Sequence, residues 1–335
     1  MKILHIGNVN NVENYTKKTP FTESAEVVNA PLGLTDEAYA GLAPDAEMII
    51  VDAITEISEK LIEKLPDLKL IHSEGVAFNR IDLAAAGKRG IYVCNCAGMN
   101  AKAVAEQTLL LMLGVVKNVV SGDAAVRDGN QMDVKMAYMG AGSLMELADC
   151  KAGLIGFGAI GKATARMLQG FGVEVYYTKR HRLTAEEEKE YQVRYLPMDE
   201  LLKTCDMLSL HLPVTQETTG MCNREFFGKC RKGSYFINTS RGELVDDEAL
   251  LEALENGTIA MAGLDTLDHE PVQKDHPMLS WPREILDRIV FSPHIGGITG
   301  SSFRRGYAMI WEDIEKLSRG EKPGHIVNQR ELDQR

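Results

Sequence analysis

Short apolar runs alternate with helix-like segments along the first hundred residues of this chain. The apolar runs cover residues 2–6, 48–51, 68–72 and 91–94. Helix-like stretches, such as residues 56–64 and 82–88, stand between them. Strands that alternate with helices in this way are typical of a parallel sheet with helical crossover connections. The pattern therefore predicts one α/β unit.

A second α/β series begins near residue 152, after a long predicted helix and an arm. The helix pattern covers residues 101–117, and a polar stretch rich in Met and Gly continues to about residue 148 with only weak periodicity. Six apolar runs follow: AGLIGFG, VEVYY, MLSLH, SYFIN, IAMAGLD and RIVFS. Six strands are the number in a complete dinucleotide-binding sheet.

The end of the chain predicts a return to the first unit. One last helix is expected over residues 301–317, and the composition of the tail does not suggest a third domain. We therefore expect two domains. One is discontinuous, formed by residues 1–99 and 300–335, and the other, residues 100–299, is inserted into it.

Composition narrows the class of partner. The net charge of −11 argues against a nucleic-acid or membrane-surface binder, because phosphate-rich partners would be repelled. The first ten residues lack the apolar core of a secretory signal, and the longest apolar run, residues 109–116, is shorter than the roughly 18 residues of a membrane span. We expect a cytoplasmic protein that acts on a small molecule.

Six cysteines in 335 residues are too few for a dense disulfide framework. Cys94 and Cys96 form a C-x-C pair, a spacing that can belong to a metal site, but no matching Cys or His pair lies nearby in the sequence. We interpret them as two thiols at the end of a strand and expect no metal.

A glycine motif stands between a strand-like run and a helical pattern at the start of the second series. It consists of Gly156, Phe157, Gly158, Ala159, Ile160 and Gly161. In this context the first glycine permits a tight turn, the second lets backbone amides approach a pyrophosphate, and the third lets the helix pack against the strand. The motif predicts dinucleotide binding at a helix N-terminus.

The residues after the next strand predict which dinucleotide binds. An NAD site has an Asp or Glu there that accepts hydrogen bonds from the ribose. This chain has Thr178, Lys179 and Arg180, and no carboxylate that would repel a 2′-phosphate. Because Arg can pair with a phosphate bidentately, we predict a preference for NADP, as NADPH, over NAD. The alternative is a solvated basic loop.

Three later segments place ionisable residues at or just after a predicted strand, where ligands collect in open α/β sheets. The residues are Arg241, Glu270 and His294. Each has an ordinary alternative, because an Arg can anchor a loop and the other two lie beside prolines in turns. Asp268 is close enough to Glu270 to compete for its role.

Taken together, these motifs resemble the D-isomer-specific 2-hydroxyacid dehydrogenase family. The resemblance rests on residues 75–82, 103–106, 156–161, 211–215, 238–242, 263–265, 270–271 and 293–296. It implies an α/β protein with a flavodoxin-like substrate domain and a Rossmann, doubly wound parallel-sheet cofactor domain. It also implies that Arg241, Glu270 and His294 are catalytic, with the Glu five residues after Asp265.

The reduction of a 2-oxo acid needs these residue types. Negative charge develops on the oxo oxygen as a hydride reaches the carbon, and a protonated His294 can donate a proton there. Glu270 would favour the protonated imidazole and fix its tautomer. Arg241 would bind the substrate carboxylate and polarise the carbonyl.

The resemblance also assigns the residues around the ligands. Backbone amides of Gly75, Val76 and Ala77 would bind the substrate carboxylate together with Arg241 and His294. Besides the glycine motif, the cofactor would contact Thr178, Lys179, Arg180, His211, Pro213, Thr218, Thr239, Ser240, Arg241, Asp265, His294 and Gly296. Asp265 could instead cap a helix. Since the family is usually dimeric through the cofactor domain, a homodimer is expected.

These features predict an NAD(P)-dependent 2-oxo acid reductase with glyoxylate or hydroxypyruvate as the favoured substrate, because the cofactor signature resembles NADPH-linked reductases. Branched or aromatic 2-oxo acids, formate and phosphonate are alternative substrates. A dinucleotide-sensing, corepressor-like interaction protein on the same scaffold is an alternative of another class. Rapid turnover of a 2-oxo acid distinguishes the enzyme from that protein.

Overall fold

The computed structural model describes residues 1–334, which form two compact units. Met1–Asn100 and the residues from Ile298 onward form the first unit, and Ala101–Gly297 form the second. The chain therefore leaves the first unit once and returns to it near the end.

The described residues form twelve strands and sixteen α-helices. The strands are β1 (Lys2–Ile6), β2 (Glu26–Ala30), β3 (Met48–Val51), β4 (Leu70–Ser73), β5 (Tyr92–Cys94), β6 (Lys151–Ile155), β7 (Glu174–Thr178), β8 (Val193–Tyr195), β9 (Met207–Leu210), β10 (Ser234–Asn238), β11 (Ile259–Leu264) and β12 (Ile289–Phe291). The helices are α1 (Asn11–Tyr15), α2 (Pro20–Glu23), α3 (Asp36–Leu42), α4 (Glu59–Glu63), α5 (Leu83–Lys88), α6 (Ala101–Val116), α7 (Val119–Arg127), α8 (Gln131–Ala141), α9 (Ala159–Gln169), α10 (Ala185–Glu190), α11 (Met198–Thr204), α12 (Arg224–Lys229), α13 (Asp247–Glu255), α14 (Arg283–Leu286), α15 (Gly300–Ser318) and α16 (Gln329–Asp333).

The first unit is a five-stranded parallel sheet in the order β2-β1-β3-β4-β5. This is the strand order of flavodoxin-like folds. Successive side chains of β3 enter two different cores, with Ile49 and Val51 on one face and Met48 and Ile50 on the other. A parallel sheet covered on both faces requires continuous apolar strands, and the run MIIV meets this requirement.

The second unit is a seven-stranded parallel sheet in the order β12-β11-β10-β9-β6-β7-β8. The chain winds outward in both directions from β6, so the strand order reverses between β6 and β9. In doubly wound sheets ligands bind outside the carboxyl ends of the strands at that reversal. The expected α/β class, with one flavodoxin-like and one Rossmann sheet, is confirmed.

Two strands escaped the sequence pattern, and both lie at an edge of a sheet. β2 contributes one fully buried residue, Ala30, and β8 contributes one, Val193. An edge strand carries few apolar residues, so a search for apolar runs overlooks it. The prediction of six strands in the second series was therefore wrong by one.

The arm after α6 is helical, which the weak periodicity did not predict. α7 and α8 contain no buried residue, and Gly129 lies between them with a positive φ of 77°. Their apolar side chains, among them Met132, Met136 and Met139, stay exposed in this chain, and the glycine and polar residues between them leave only a weak helical pattern, although Ala, Met and Lys favour the conformation.

Among residues 1–334, no single helix is long and apolar enough to cross a bilayer. Helices α6 and α7, which meet at a bend of 61°, reach the required length and composition only as a pair.

The C-terminal segment covers one face and one edge of the first sheet. Tyr307, Ile310 and Ile314 of α15 are buried in the core formed with β3 and β4. Farther on, the side chain of Asn328 accepts a hydrogen bond from the Val93 amide at 2.9 Å and donates one to the Ile91 carbonyl at 3.0 Å. Helix and tail are therefore integral to this unit.

Candidate active site

The glycine motif forms the turn between β6 and α9. Gly156 has a φ of +96°, and a Cβ there would lie 2.3 Å from the carbonyl oxygen of His211. A Cβ on Gly161 would lie 2.8 Å from the Gly156 oxygen, whereas a Cβ on Gly158 would meet nothing within 4 Å. The first and third glycines are thus required by packing. Gly158 keeps the backbone open to an anion at the N-terminus of α9.

This geometry fits the pyrophosphate of a dinucleotide and yields a prediction. Gly158→Ala should leave the fold intact, because the new methyl group has room, but should weaken NADPH binding by at least about 10-fold by occupying the path of the phosphates. Fluorescence titration of NADPH and thermal melting would measure the two effects. Gly228→Ala, at another position open to a Cβ, is the control; equal NADPH affinity in both variants would contradict the assignment.

The basic residues after β7 differ in how firmly they are held. The Thr178 carbonyl accepts a hydrogen bond from the Gly156 amide at 2.9 Å, which ties the end of β7 to the glycine motif. Arg182 forms a two-bond ion pair with Glu188, at 2.8 and 3.0 Å. Within residues 1–334, Lys179 and Arg180 form no ion pair. Their side chains are free to bind an anion.

His211 follows β9 with one ring nitrogen bonded and the other not. Its Nε2 lies 3.1 Å from the Ser209 hydroxyl, and its buried Nδ1 has no hydrogen-bond partner among the described residues. Burial lowers the pKa of His211 to about 4, so the ring is neutral at physiological pH. A buried nitrogen without a protein partner is a position at which a ligand or a water molecule can bind.

Pro213 and Thr218 belong to the turn after His211. The Thr218 hydroxyl donates to the Pro213 carbonyl at 2.8 Å and accepts from the Thr215 amide at 2.7 Å. These bonds fix the shape of the turn, and a cofactor contact of either residue stays a prediction.

Arg241 lies on a loop whose backbone is held by buried polar groups. The Asn238 side chain accepts from the Ser240 amide at 3.0 Å and donates to the Arg241 carbonyl at 2.8 Å. The Ser240 hydroxyl donates to the Leu210 carbonyl at 2.7 Å, and Thr239 bonds Thr108 at 2.8 Å. Arg241 itself is exposed, with Nη1 donating to the Ser240 carbonyl at 2.7 Å.

Gly242 brings the Arg241 loop against the loop that follows β11. A Cβ on Gly242 would lie 1.9 Å from the carbonyl carbon of Leu267 and 2.1 Å from the Asp268 nitrogen. Only a glycine permits this backbone contact. The contact sets the spacing between the loop that carries Arg241 and the loop that carries Glu270.

Asp265 organises the turn that carries His294. It is 2% exposed, and its carboxylate accepts hydrogen bonds from the Ser292 hydroxyl, from the Ile295 amide at 3.1 Å and from the Gly296 amide at 2.9 Å. It caps no helix among residues 1–334, so the capping alternative was wrong. Its contact with the nicotinamide end of a cofactor stays a prediction.

Glu270 and His294 are in direct contact. Glu270 Oε2 lies 2.5 Å from His294 Nδ1, while Oε1 accepts a hydrogen bond from the Leu267 amide at 3.0 Å. The side chain of Glu270 is 32% exposed, and that of His294 is 42% exposed. With Nδ1 bonded to the carboxylate, Nε2 is the nitrogen that can act on a ligand. Asp268 instead bonds its neighbour His269, at 2.9 and 3.1 Å.

The structure therefore brings two of the three predicted catalytic residues into contact. Arg241 stands at the end of β10, the strand beside β11 in the sheet. In the part of the chain that the structure describes, its guanidinium bonds neither Glu270 nor His294, which leaves its donors available to a ligand.

The loop of Gly75, Val76 and Ala77 follows β4 in the first unit. The Gly75 amide donates to the Ser73 hydroxyl at 3.2 Å, and that hydroxyl donates to the Ala77 carbonyl at 2.7 Å. The amides of Val76 and Ala77 have no protein acceptor among the described residues. If this loop binds a carboxylate, these two amides are the available donors and that of Gly75 is not.

Sequence reasoning overlooked two side chains on α6. Gln107 donates to the Ser292 hydroxyl at 2.9 Å, and Ser292 in turn bonds Asp265. Thr108 bonds Thr239 across 131 positions of sequence. Both follow directly after the motif at residues 103–106, but no local spacing connects them with their partners.

Comparison with known proteins identifies the family to which this sequence is similar. Residues 109–296 match the D-isomer specific 2-hydroxyacid dehydrogenase, NAD binding domain. A glyoxylate reductase of Korarchaeum cryptofilum is 33% identical over 298 residues, which are 86% of this chain and 87% of the relative. A glyoxylate reductase of Thermococcus litoralis is 35% identical, over 85% of this chain and 84% of the relative.

A solved structure extends the similarity over almost the whole chain. It is the NAD complexed form of a D-isomer specific 2-hydroxyacid dehydrogenase from Lactobacillus delbrueckii. The TM-score is 0.81 at 25% identity, over 98% of this chain and 100% of that chain.

Proposed function

This chain belongs to the D-isomer specific 2-hydroxyacid dehydrogenase family and is thus an oxidoreductase that uses a nicotinamide dinucleotide, and we propose that it reduces a small 2-oxo acid with NADPH. Glyoxylate and hydroxypyruvate are the favoured substrates, and the product is the corresponding 2-hydroxy acid. The observation that carries this proposal is the contact between Glu270 and His294, which leaves Nε2 of an imidazole at the carboxyl ends of the strands.

His294 is the proposed proton donor. When bound, the dinucleotide supplies the hydride that reaches the oxo carbon. His294 Nε2 delivers a proton to the oxygen of that carbonyl, on which negative charge develops. Glu270 holds Nδ1, sets the tautomer of the ring and compensates its positive charge. In the reverse direction the same nitrogen accepts the proton.

Arg241 is the proposed anchor of the substrate carboxylate. Among the described residues its guanidinium makes one hydrogen bond, to the Ser240 carbonyl, so most of its donors remain available for a bidentate contact. A fixed cation beside the carbonyl also stabilises the negative charge of the transition state. The amides of Val76 and Ala77 are proposed as donors to a carboxylate.

The preference for a small substrate draws support from the relatives. Five of the similar proteins, at 32% to 35% identity, are named glyoxylate reductase. Steady-state rates with glyoxylate, hydroxypyruvate, 2-oxoisocaproate and phenylpyruvate, each with NADPH and NADH, test the substrate. We expect kcat/KM to be at least about 10-fold higher for one of the first two.

Other outcomes of that screen would overturn the proposal. A higher kcat/KM for the branched or aromatic acid would show that the preferred substrate belongs to that class of 2-oxo acid instead. Oxidation of formate or phosphonate would indicate another reaction. Tight NADPH binding with negligible turnover of every 2-oxo acid would favour the corepressor-like alternative.

The proposed NADPH preference depends on Lys179 and Arg180, which have no ion-pair partner among residues 1–334, whereas Arg182 is bound to Glu188. Arg180→Ser should raise KM for NADPH by about 10-fold or more and leave KM for NADH nearly unchanged, because an arginine to phosphate pair is worth more than about 1.4 kcal/mol. Arg182→Ser is the matched control. A wild-type enzyme with higher kcat/KM for NADH would contradict the preference.

The assembly and compartment are also proposals. We propose a homodimer in which α8 contributes to the contact, because Met132, Met136 and Met139 are each more than half exposed on that helix. We also propose a cytoplasmic location, where the six cysteines, all free thiols in this structure, would stay reduced. Sedimentation equilibrium should give twice the chain mass; a monomer would contradict the dimer.

A further inference from the structure

A buried cluster of His, Cys and Asp side chains lies between the sheet and α15 in the first unit. His72 and Cys94 are register partners on the adjacent strands β4 and β5, so their side chains lie on the same face. Asp313 of α15 meets them there. All three residues are 0% exposed. Their Nε2, Sγ and carboxylate oxygen atoms lie within 4.8 Å of one another.

The hydrogen bonds of His72 place either a proton or a metal ion between this ring and Asp313. Its Nδ1 lies 2.9 Å from the Ser73 carbonyl oxygen, which can only accept, so Nδ1 carries a hydrogen. In a neutral ring Nε2 then presents a lone pair, and this lone pair faces Oδ2 of Asp313 at 3.2 Å. Two acceptors do not face each other in a buried site unless a proton or a metal ion lies between them.

The groups behind the cluster hold it in the manner of a metal site. Ligating histidines usually donate their other ring nitrogen to a carbonyl, as His72 does to Ser73, and ligating carboxylates are themselves hydrogen-bonded. Oδ1 of Asp313 accepts the Gly324 amide at 2.6 Å, which leaves Oδ2 for the cluster. His72 and Asp313 are therefore already oriented for ligation.

The C-terminal tail brings a second imidazole to the edge of the cluster, in contact with Asp313. His325 Nδ1 lies 2.9 Å from Asp313 Oδ2, and its side chain is 27% exposed, in contrast to the other three. The partly exposed ring of His325 lies on the side of the cluster that is nearest to solvent. A thiolate, two imidazoles and a carboxylate are all donor types that Zn²⁺ accepts, and four such donors suit its tetrahedral geometry.

We propose that His72, Cys94, Asp313 and His325 bind one Zn²⁺ ion, which fastens α15 and the tail to the first sheet. The thiolate and the carboxylate together balance the charge of the ion, so no net charge is buried. The C-x-C spacing alone does not reveal this site. The partners of Cys94 are residues 72, 313 and 325, and Cys96 is not among them: its thiol contacts the carbonyls of Ser73 and Gly306, at 3.4 and 3.5 Å.

Metal titration of the full chain, produced without a histidine tag and stripped with a chelator, tests the proposal. We expect one Co²⁺ per chain, with the absorption of a tetrahedral ion and a thiolate-to-cobalt charge-transfer band, and displacement by Zn²⁺ with a rise in Tm. Cys94→Ser should abolish the charge-transfer band and weaken binding by more than about 100-fold. Loss of a group that only hydrogen-bonds a metal ligand already costs about 10- to 100-fold, and Cys94 is itself a proposed ligand. Cys96→Ser is the matched control and should bind like the wild type.

If Cys94→Ser does not fold, His325→Gln is the second test variant, because a partly exposed residue can be replaced with less effect on folding. His325→Gln should weaken Co²⁺ binding by at least about 10-fold. A stripped wild type that takes up no Co²⁺ or Zn²⁺ would overturn the proposal. The cluster would then be a set of buried side chains that share protons. Equal affinities of wild type and Cys94→Ser would also overturn it. Neither result depends on the proposed reductase activity.

Discussion

His294→Gln should lower kcat for 2-oxo acid reduction by about 10²- to 10⁴-fold, the range that general acid catalysis contributes. The amide of Gln can hydrogen-bond the substrate oxygen but cannot give up a proton at neutral pH. NADPH affinity should change little, because the ring is bound to Glu270 and the proposed role of its other nitrogen is toward the substrate. Steady-state kinetics and NADPH fluorescence titration would separate the two quantities.

Two comparisons make the His294 result specific. His269→Gln removes another exposed imidazole of the same unit, one that bonds Asp268 instead of Glu270, and should retain kcat. Glu270→Gln should lower kcat, while Asp268→Asn should not, because Asp268 does not contact His294 in the described chain. A His294→Gln enzyme with wild-type kcat would refute the assignment of the proton donor.

Arg241→Gln should lower kcat/KM for the 2-oxo acid by about 10²- to 10³-fold, because it removes the proposed anchor of the substrate carboxylate and, with it, the cation that would stabilise the developing charge. Arg241→Lys should recover only part of this loss, since an ammonium cannot make the planar two-bond contact. The Kd of NADPH should remain close to that of the wild type. Initial rates over a range of glyoxylate concentrations would measure the effect.

Arg224→Gln is the control for charge and stability. Arg224 is an exposed arginine of the same unit, held by Glu252 at 2.7 Å, and its loss should leave kcat/KM unchanged. An Arg241→Gln enzyme that loses NADPH affinity as strongly as it loses catalytic efficiency would move the role of Arg241 from the substrate to the cofactor.

Burial explains which elements could be predicted from the sequence. The central strands β3 and β6 are buried on both faces and appear as apolar runs, and the tight turn at Gly156 requires a residue type that the sequence displays directly. β2 and β8 are half-exposed edges, and α7 and α8 expose all their residues to at least an intermediate degree. Such elements carry only a weak apolar pattern, so their positions depend on contacts that only the folded chain reveals.

The candidate site divides in the same way. The glycine motif is a local pattern, and Arg241, Glu270 and His294 follow one another in a fixed order along the chain. Both features can be identified in the sequence. The contact that selects Glu270 over Asp268 depends on how the loop after β11 folds, with Oε1 held by the Leu267 amide. Links such as Gln107 to Ser292 join residues with no fixed spacing. Side chains that meet only through the tertiary fold leave no pattern in one sequence.

Transfer of a labelled hydride tests the proposed reaction most directly. The wild-type enzyme is incubated with glyoxylate and NADPH that carries deuterium at the transferable C4 position, and the product is analysed by mass spectrometry. We predict glycolate with one deuterium on C2, formed in proportion to the NADPH consumed. NADPH that binds but is not oxidised, with no deuterium in glycolate or in the hydroxy acid made from hydroxypyruvate, would contradict the proposal.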